Sequence, residues 1–304
     1  MGKVTVIGGY LVGLFAKGER IPGIGETVTA DEYFEGGGGK GSNQAVAAAR
    51  LGADASFIGK IGTDKYGRDC LDMYKRLGMS ADTFVIDDST YTGVSVIFID
   101  KDANNSIMCA LGANLKLSRE DIDRAEEVLK ASDIVGFVPE ISVDTMNYGI
   151  QKAYGLGAKV LLDPSYITEF EEELYRCLYI VKPNEHEATA LTGINVTDKD
   201  SGIAAGKWFL EKGVRHAIVT LGDKGVIHVS ADAVEFFETP KVQAVDTTGA
   251  GDCFSGALMT ALSGGKNMSD AIRFANHAAA LSVTRNGVIG ALPDYGEVMS
   301  FMNQ

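Results

Sequence analysis

The apolar and polar positions change rhythm near residue 117. Downstream of it, short apolar runs of strand length alternate with longer stretches whose apolar residues return every three or four positions. The pattern predicts strands at 133–138, 160–162, 179–181 and 217–221. It predicts helices at 117–130, 143–154, 185–191, 202–212, 250–262, 270–284 and 295–302. Ser118 stands as an N-cap for the first of these, with Asp121 three residues on. A hairpin is expected around 223–225. Such alternation calls for an α/β fold, a mostly parallel sheet with helices on both faces.

Upstream the rhythm differs. A buried strand is expected at 4–7 and an Ala-rich helix at 42–51. Strand-like segments around 10–16, 27–35 and 84–99 lack helices between them, and 85–86 and 94–99 are joined through a polar turn. These predict a small second sheet. The two regions interleave, so the expectation is one domain over 1–304 with a β-sheet lid. The lid strands come from about 10–35 and 84–100.

Composition narrows the function. The 304 residues carry 28 Lys plus Arg against 41 Asp plus Glu, a formal charge of −13. An acidic surface repels phosphate backbones, which argues against nucleic acid as a partner. An anionic substrate must then be held by local groups such as helix N-termini and a metal ion. Cys70, Cys109, Cys177 and Cys253 form no CxxC pair and read as buried small apolar residues in a reducing, cytoplasmic compartment. The apolar stretch 4–16 is broken by Gly8, Gly9 and Gly13, so it reads as a strand entering a turn rather than a signal peptide. No run approaches a membrane span.

Four segments carry chemistry. From Asp246 to Gly256 a strand-like run leads through Thr247, Thr248, Gly249, Ala250 and Gly251 into an apolar helix. Small residues at a helix start leave backbone N–H groups free to converge on an anion, aided by the helix dipole. Asp252 sits in the same first turn, where a carboxylate can take a proton from an attacking hydroxyl. Alone it would pass for a first-turn acid that favours the helix. From Gly36 to Gln44 a glycine run opens the Ala-rich helix, and Lys40 and Asn43 supply hydrogen-bond donors. A Walker A loop is excluded, because Phe34 stands where its first glycine should be and Gly41 follows the lysine.

From Lys182 to Glu187 a strand ends at a proline, and Asn184 can cap the next helix. Asn184 and Glu187 lie one turn apart, which suits Mg²⁺ carrying phosphates as well as it suits a cap. The turn from Thr220 to Gly225 can serve as a floor for a nucleotide at strand ends. A dinucleotide fingerprint at 8–13 is excluded by Tyr10 in place of its second glycine.

Taken together these segments resemble the ribokinase-like (phosphofructokinase B) carbohydrate kinase family, above all its ribokinase branch, from about Val4 to Pro293. The residues 38–44 and 246–252 resemble the family's two signatures. The resemblance implies a Rossmann-like core, a lid that also forms a homodimer, ATP with Mg²⁺, and a monovalent cation such as K⁺. It implies Asp252 as catalytic base and Gly249, Ala250 and Gly251 as the anion hole. Gly39, Lys40, Asn43 and Glu140 are implied as substrate contacts, with Gly13 at the same end. Asn184, Thr220, Gly222, Gly225 and Asn276 are implied at the nucleotide. Glu187 is implied at Mg²⁺, and Asp246, Thr248 and carbonyls near Val283 and Gly287 at the second cation.

One departure bears on the substrate. Where the ribokinase branch carries an Asn and an Asp that grip sugar hydroxyls, this chain has Leu11 and Gly13. Each lost charge-assisted bond costs roughly 1.5–3 kcal/mol. The expectation is a sugar-like acceptor other than ribose, bulkier or less hydroxylated at that end. A nucleoside or modified sugar, or a regulator that binds without catalysis, are the alternatives.

Overall fold

The computed structural model describes residues 2–102, 104–165, 167 and 170–303. Its strands are β1 (Lys3–Ile7), β2 (Leu11–Lys17), β3 (Glu32–Gly38), β4 (Asp54–Gly62), β5 (Phe84–Asp87), β6 (Gly93–Ile99), β7 (Asn105–Ala110), β8 (Ile134–Phe137), β9 (Lys159–Leu162), β10 (Ile180–Val181), β11 (His216–Thr220), β12 (Val226–Ser230) and β13 (Val234–Phe237). Its helices are α1 (Lys40–Arg50), α2 (Lys65–Arg76), α3 (Arg119–Arg124), α4 (Glu126–Ala131), α5 (Val143–Gly155), α6 (Glu185–Thr192), α7 (Lys199–Glu211), α8 (Ala250–Ser263), α9 (Met268–Ser282) and α10 (Tyr295–Met302).

A nine-stranded sheet runs in the order β13-β12-β11-β10-β9-β8-β1-β4-β5. It is parallel from β11 to β5, and the β11–β12–β13 end is antiparallel. Both faces are covered, so the central strands are apolar on both sides. Alternation sends Val4, Val6, Ile134, Leu161 and Ile218 to the α1–α8–α9 side. Ile7, Val135, Phe137, Val160, Leu162 and Val219 go to the α3–α7 side. The strand order reverses about β1, where the connections leave for opposite edges. In such sheets that crevice is where ligands bind.

The second sheet has the order β3-β2-β6-β7, with β2–β6 parallel and its other pairs antiparallel. A small second sheet is expected from the sequence, but its membership differs. Residues 84–87 pair with β4 in the large sheet, and β7 supplies a fourth strand from 105–110 that the apolar pattern does not predict; as an edge strand it leaves Cys109 exposed, where a buried cysteine is expected from the sequence. The strand expected at 27–35 begins only at Glu32. Helix α2 is not predicted either, because its apolar stripe is narrow: Gly67, Cys70 and Tyr74 are its buried residues. The single helix expected at 117–130 is two, divided at Ala125, with the Ser118–Asp121 capping box as read from the sequence.

Candidate active site

Most of the polar residues gathered here stand just beyond the C-terminal ends of parallel strands. Gly8 and Gly9 follow β1, Glu140 follows β8, Asp163 follows β9, and Lys182 and Asn184 follow β10. Each strand is apolar to its end, and the first polar residue past the sheet is delivered to the same edge.

Helices α1 and α8 complete the arrangement from the other side. Gly249 adopts φ +79°, a left-handed conformation open to glycine at little cost, and turns the chain into α8. Asp252 is therefore in the first turn, and it is buried. The two helices nest because Gly256 has no side chain: a Cβ there would lie 2.6 Å from the Ala47 Cβ and 2.6 Å from the Gln44 carbonyl oxygen. That closeness brings Asn43 and Gln44 to the carboxylate. Asn43 Nδ2 donates to Asp252 Oδ2 at 2.8 Å, and Gln44 Nε2 lies 3.4 Å from Oδ1. The amide oxygens of both side chains, Asn43 Oδ1 and Gln44 Oε1, are buried with no partner among the described residues. Buried acceptors are seldom left so, and these two suit the hydroxyl protons of a bound acceptor.

Burial pushes the Asp252 carboxyl up to about 6, opposed by the nearby Lys40 charge. Burial likewise raises Glu140 to about 7, with Asp252 adding to the rise. Glu140 Oε2 accepts the Gly41 backbone N–H at 3.2 Å. A carboxylate with a pKa near 6 is ionised at neutral pH yet basic enough to take a proton.

Behind Asp252 lies a network to which the sequence alone assigns no role. Asp163 Oδ2 accepts from Gln44 Nε2 at 3.0 Å and Ser255 Oγ at 2.9 Å, and pairs with Lys182 Nζ at 2.8 Å. Burial opposes its ionisation, but the Lys182 and Lys40 charges hold the Asp163 carboxyl below its ordinary value. Lys40 Nζ donates to Ser165 Oγ at 2.7 Å, and Ser165 Oγ donates to Asp163 Oδ1 at 3.1 Å. The available signal was a lone acid closing a buried strand ahead of a proline, at Asp163-Pro164.

The expected nucleotide residues form a neighbouring group. Asn184 and Thr220 bridge β10 and β11. Gly222 accepts from Thr239 Oγ1 at 3.0 Å, and Asn276 Nδ2 donates to the adjoining Glu238 carbonyl at 2.9 Å. Gly225 closes the turn by accepting the Leu221 N–H at 2.8 Å.

The metal expectations fare differently. Asn184 and Glu187 form a capping box: each takes the other's backbone N–H at 2.9 Å. Among the described residues no cluster of three His, Cys, Asp or Glu side chains suits a metal ion. Mg²⁺ commonly takes one or two carboxylates and completes its shell with water and phosphate. Glu187 fits that limited role, since among the described residues its Oε1 has only a 3.4 Å contact, from Ser165.

The monovalent-cation group is engaged otherwise. The Val283 carbonyl accepts the Val245 and Asp246 N–H groups, at 2.7 and 3.1 Å, which uses both lone pairs. The Asp246 carboxylate takes the Thr248 and Gly287 N–H groups, at 2.9 and 3.0 Å. These residues are brought together, as expected, and each Asp246 carboxylate oxygen, with one N–H accepted, keeps a lone pair.

The substrate end carries a further correction. Leu11 pairs with Gly38, and an ideal Cβ on Gly38 would come within 3.5 Å of Asn43 Oδ1. Opposed residues share a face. So Leu11, Gly13 and Phe15 lie on the face of the small sheet turned toward Asn43. The position beside Gly13 is not open space. A Cβ there would stand 2.4 Å from the Phe15 ring and 3.4 Å from Ile97 Cδ1. Phe15 stacks on Phe34 with centroids 4.5 Å apart.

Sheet order, small sheet and glycine turn together define a ribokinase-fold protein. The ribokinase of Arabidopsis thaliana, solved with ribose and ATP, matches with a TM-score of 0.92 at 30% identity over 100% of both chains. The chain belongs to the pfkB family of carbohydrate kinases, whose model matches residues 1–294. The ribokinase of Haemophilus influenzae is 37% identical over 278 residues, covering 91% of this chain and 91% of its own. The deoxyribokinase of Salmonella typhi is 33% identical over 302 residues, covering 99% of this chain and 98% of its own. The molecule is thus an ATP-dependent carbohydrate kinase in class.

Proposed function

We propose that this enzyme moves the γ-phosphate of ATP to a hydroxyl of a small sugar that lacks the hydroxyls ribose presents at the Leu11–Gly13 end. The observation that carries the transfer is Asp252: a buried carboxylate in the first turn of α8, beside two amide oxygens without partners. The acceptor hydroxyls donate to Asn43 Oδ1 and Gln44 Oε1, and Asp252 takes the proton of the attacking oxygen. The turn at Gly249, Ala250 and Gly251 receives the phosphoryl oxygens on backbone N–H groups. Glu187 would hold Mg²⁺, and the ion when bound would neutralise phosphate charge. Lys40 and Glu140 bound the acceptor pocket, and Gly39 opens it.

The acceptor reading rests on Leu11 and on the Phe15 ring that covers Gly13. With that space filled, a less hydroxylated sugar fits better than a bulkier one. The similarity to a deoxyribokinase supports the same direction. The stacked Phe15–Phe34 pair on this face favours a second reading, a nucleoside whose base meets those rings.

We place the enzyme in the cytoplasm, consistent with four unpaired cysteines. We also propose a homodimer formed through the small sheet acting as lid, where Phe34 and Ile107 are exposed on the face that carries Leu11. Among the described residues no helix is long and apolar enough to cross a membrane.

The test is ADP release with Mg²⁺-ATP across ribose, 2-deoxyribose, other pentoses, hexoses and nucleosides. A deoxy sugar should exceed ribose in kcat/KM by about tenfold, the cost of burying a sugar hydroxyl without a partner beside Leu11. Ribose as best acceptor would overturn the reading of Leu11 and Gly13. Nucleosides as best acceptors would favour the second reading.

A further inference from the structure

We propose that Lys182 contacts the phosphoryl group during transfer, held ready by Asp163 beside the Gly249–Gly251 turn. This rests on the kinase reading above and extends it to a residue with no role there. Lys182 follows β10 directly, and its side chain is 4% exposed. Its Nζ lies 2.8 Å from Asp163 Oδ2 and 3.4 Å from the Gly251 carbonyl oxygen. An ammonium has three N–H donors, so these contacts leave one to spend. Gly251 is exposed, and a Cβ built on it would come within 3.5 Å of Lys182 Nζ. The charge therefore lies directly beneath the exposed Gly251 backbone, in the turn proposed to receive an anion.

Two further observations argue against a purely structural lysine. Asp163 already has neutral donors in Gln44, Ser255 and Ser165, at 3.0, 2.9 and 3.1 Å. A buried ion pair adds little stability over an apolar filling of the same volume. The site also needs positive charge, because three carboxyl groups, Glu140, Asp163 and Asp252, stand buried there before any phosphate arrives. Lys182 donates an N–H to a non-bridging oxygen while the bond to the ADP oxygen breaks and the bond to the acceptor oxygen forms. The acceptor's proton goes to Asp252.

The test is calorimetric titration of Mg²⁺-ADP and of Mg²⁺ with the β,γ-imido analogue of ATP. The proteins are wild type, Lys182→Arg, Lys182→Met and Asp163→Asn/Lys182→Met. The single methionine variant strands the Asp163 charge and is expected to lose stability. The double variant removes both charges and keeps the reading testable. In the double variant ADP should bind within about threefold of wild type, while the imido analogue weakens at least about tenfold, one charged contact's worth. Lys182→Arg should recover part of that loss. Equal binding of both nucleotides by wild type and the double variant would overturn the proposal, as would an equal loss of both. A wild type that binds neither nucleotide would instead overturn the kinase reading itself.

Discussion

Asp252 is held against its own solvation preference. Its carboxyl titrates near 6 in the folded chain against an ordinary 3.8, because burial disfavours the charge. The sign follows. A raised acid pKa means the ionised group costs stability at neutral pH, and that cost is relieved as pH falls from about 6 to about 4. Replacing Asp252 with Asn should raise folding stability at pH 7.5 by on the order of 2–3 kcal/mol, since each tenfold change in proton affinity is worth about 1.4 kcal/mol. The gain should vanish below about pH 4, which denaturant titration at several pH values would check. The same variant should lose roughly 10²–10⁴ in turnover, the usual share of a general base, while ADP binding is kept. In wild type, kcat/KM should fall as pH drops through about 6. Near-normal turnover in Asp252→Asn would remove Asp252 from the base role.

At the scale of elements, the site depends on how closely α1 and α8 nest. Gly256 sets that distance, since a methyl group there would overlap the Ala47 Cβ at 2.6 Å. Gly256→Ala should therefore separate the helices, cost about 1–3 kcal/mol as overpacking does, and pull Asn43 and Gln44 away from Asp252. Turnover is expected to fall further than melting temperature alone would suggest, and comparing the two below the melting range would show it. This packing also marks what the sequence disclosed. The glycine runs before α1 and α8 announce both helix starts, and Asp252, Asn43 and Lys40 can be read from them. Asp163 and Lys182 cannot, because their importance lies in meeting each other from separate strands. Asn184 and Glu187 are legible as a pair, though spacing alone leaves cap and metal ligand open. Strand β5 is expected in the wrong sheet because four residues carry no sign of their neighbour. Strand β7 escapes because Asn105–Ala110 opens on two polar residues and then runs apolar without alternation, although it is exposed almost throughout.

For the whole molecule, the small sheet presents Phe34 at 45% and Ile107 at 55% exposure on the face that looks toward the site. A second copy covering that face accounts for both. Ile107→Asp should convert a dimer to a monomer in sedimentation and raise the KM for acceptor, with helix content unchanged. A monomeric wild type would remove the proposal.

The place of β1 carries a consequence for how the chain is made. It precedes every other strand of the sheet along the chain, yet it ends in the interior, between β4 and β8. Its partner β8 begins at Ile134, so the N–H and C=O groups on one edge of β1 stay unpaired until synthesis has passed that point. Nascent chains released before that point keep an open strand edge, a template for pairing with other chains. Premature termination should therefore yield aggregates rather than inert fragments.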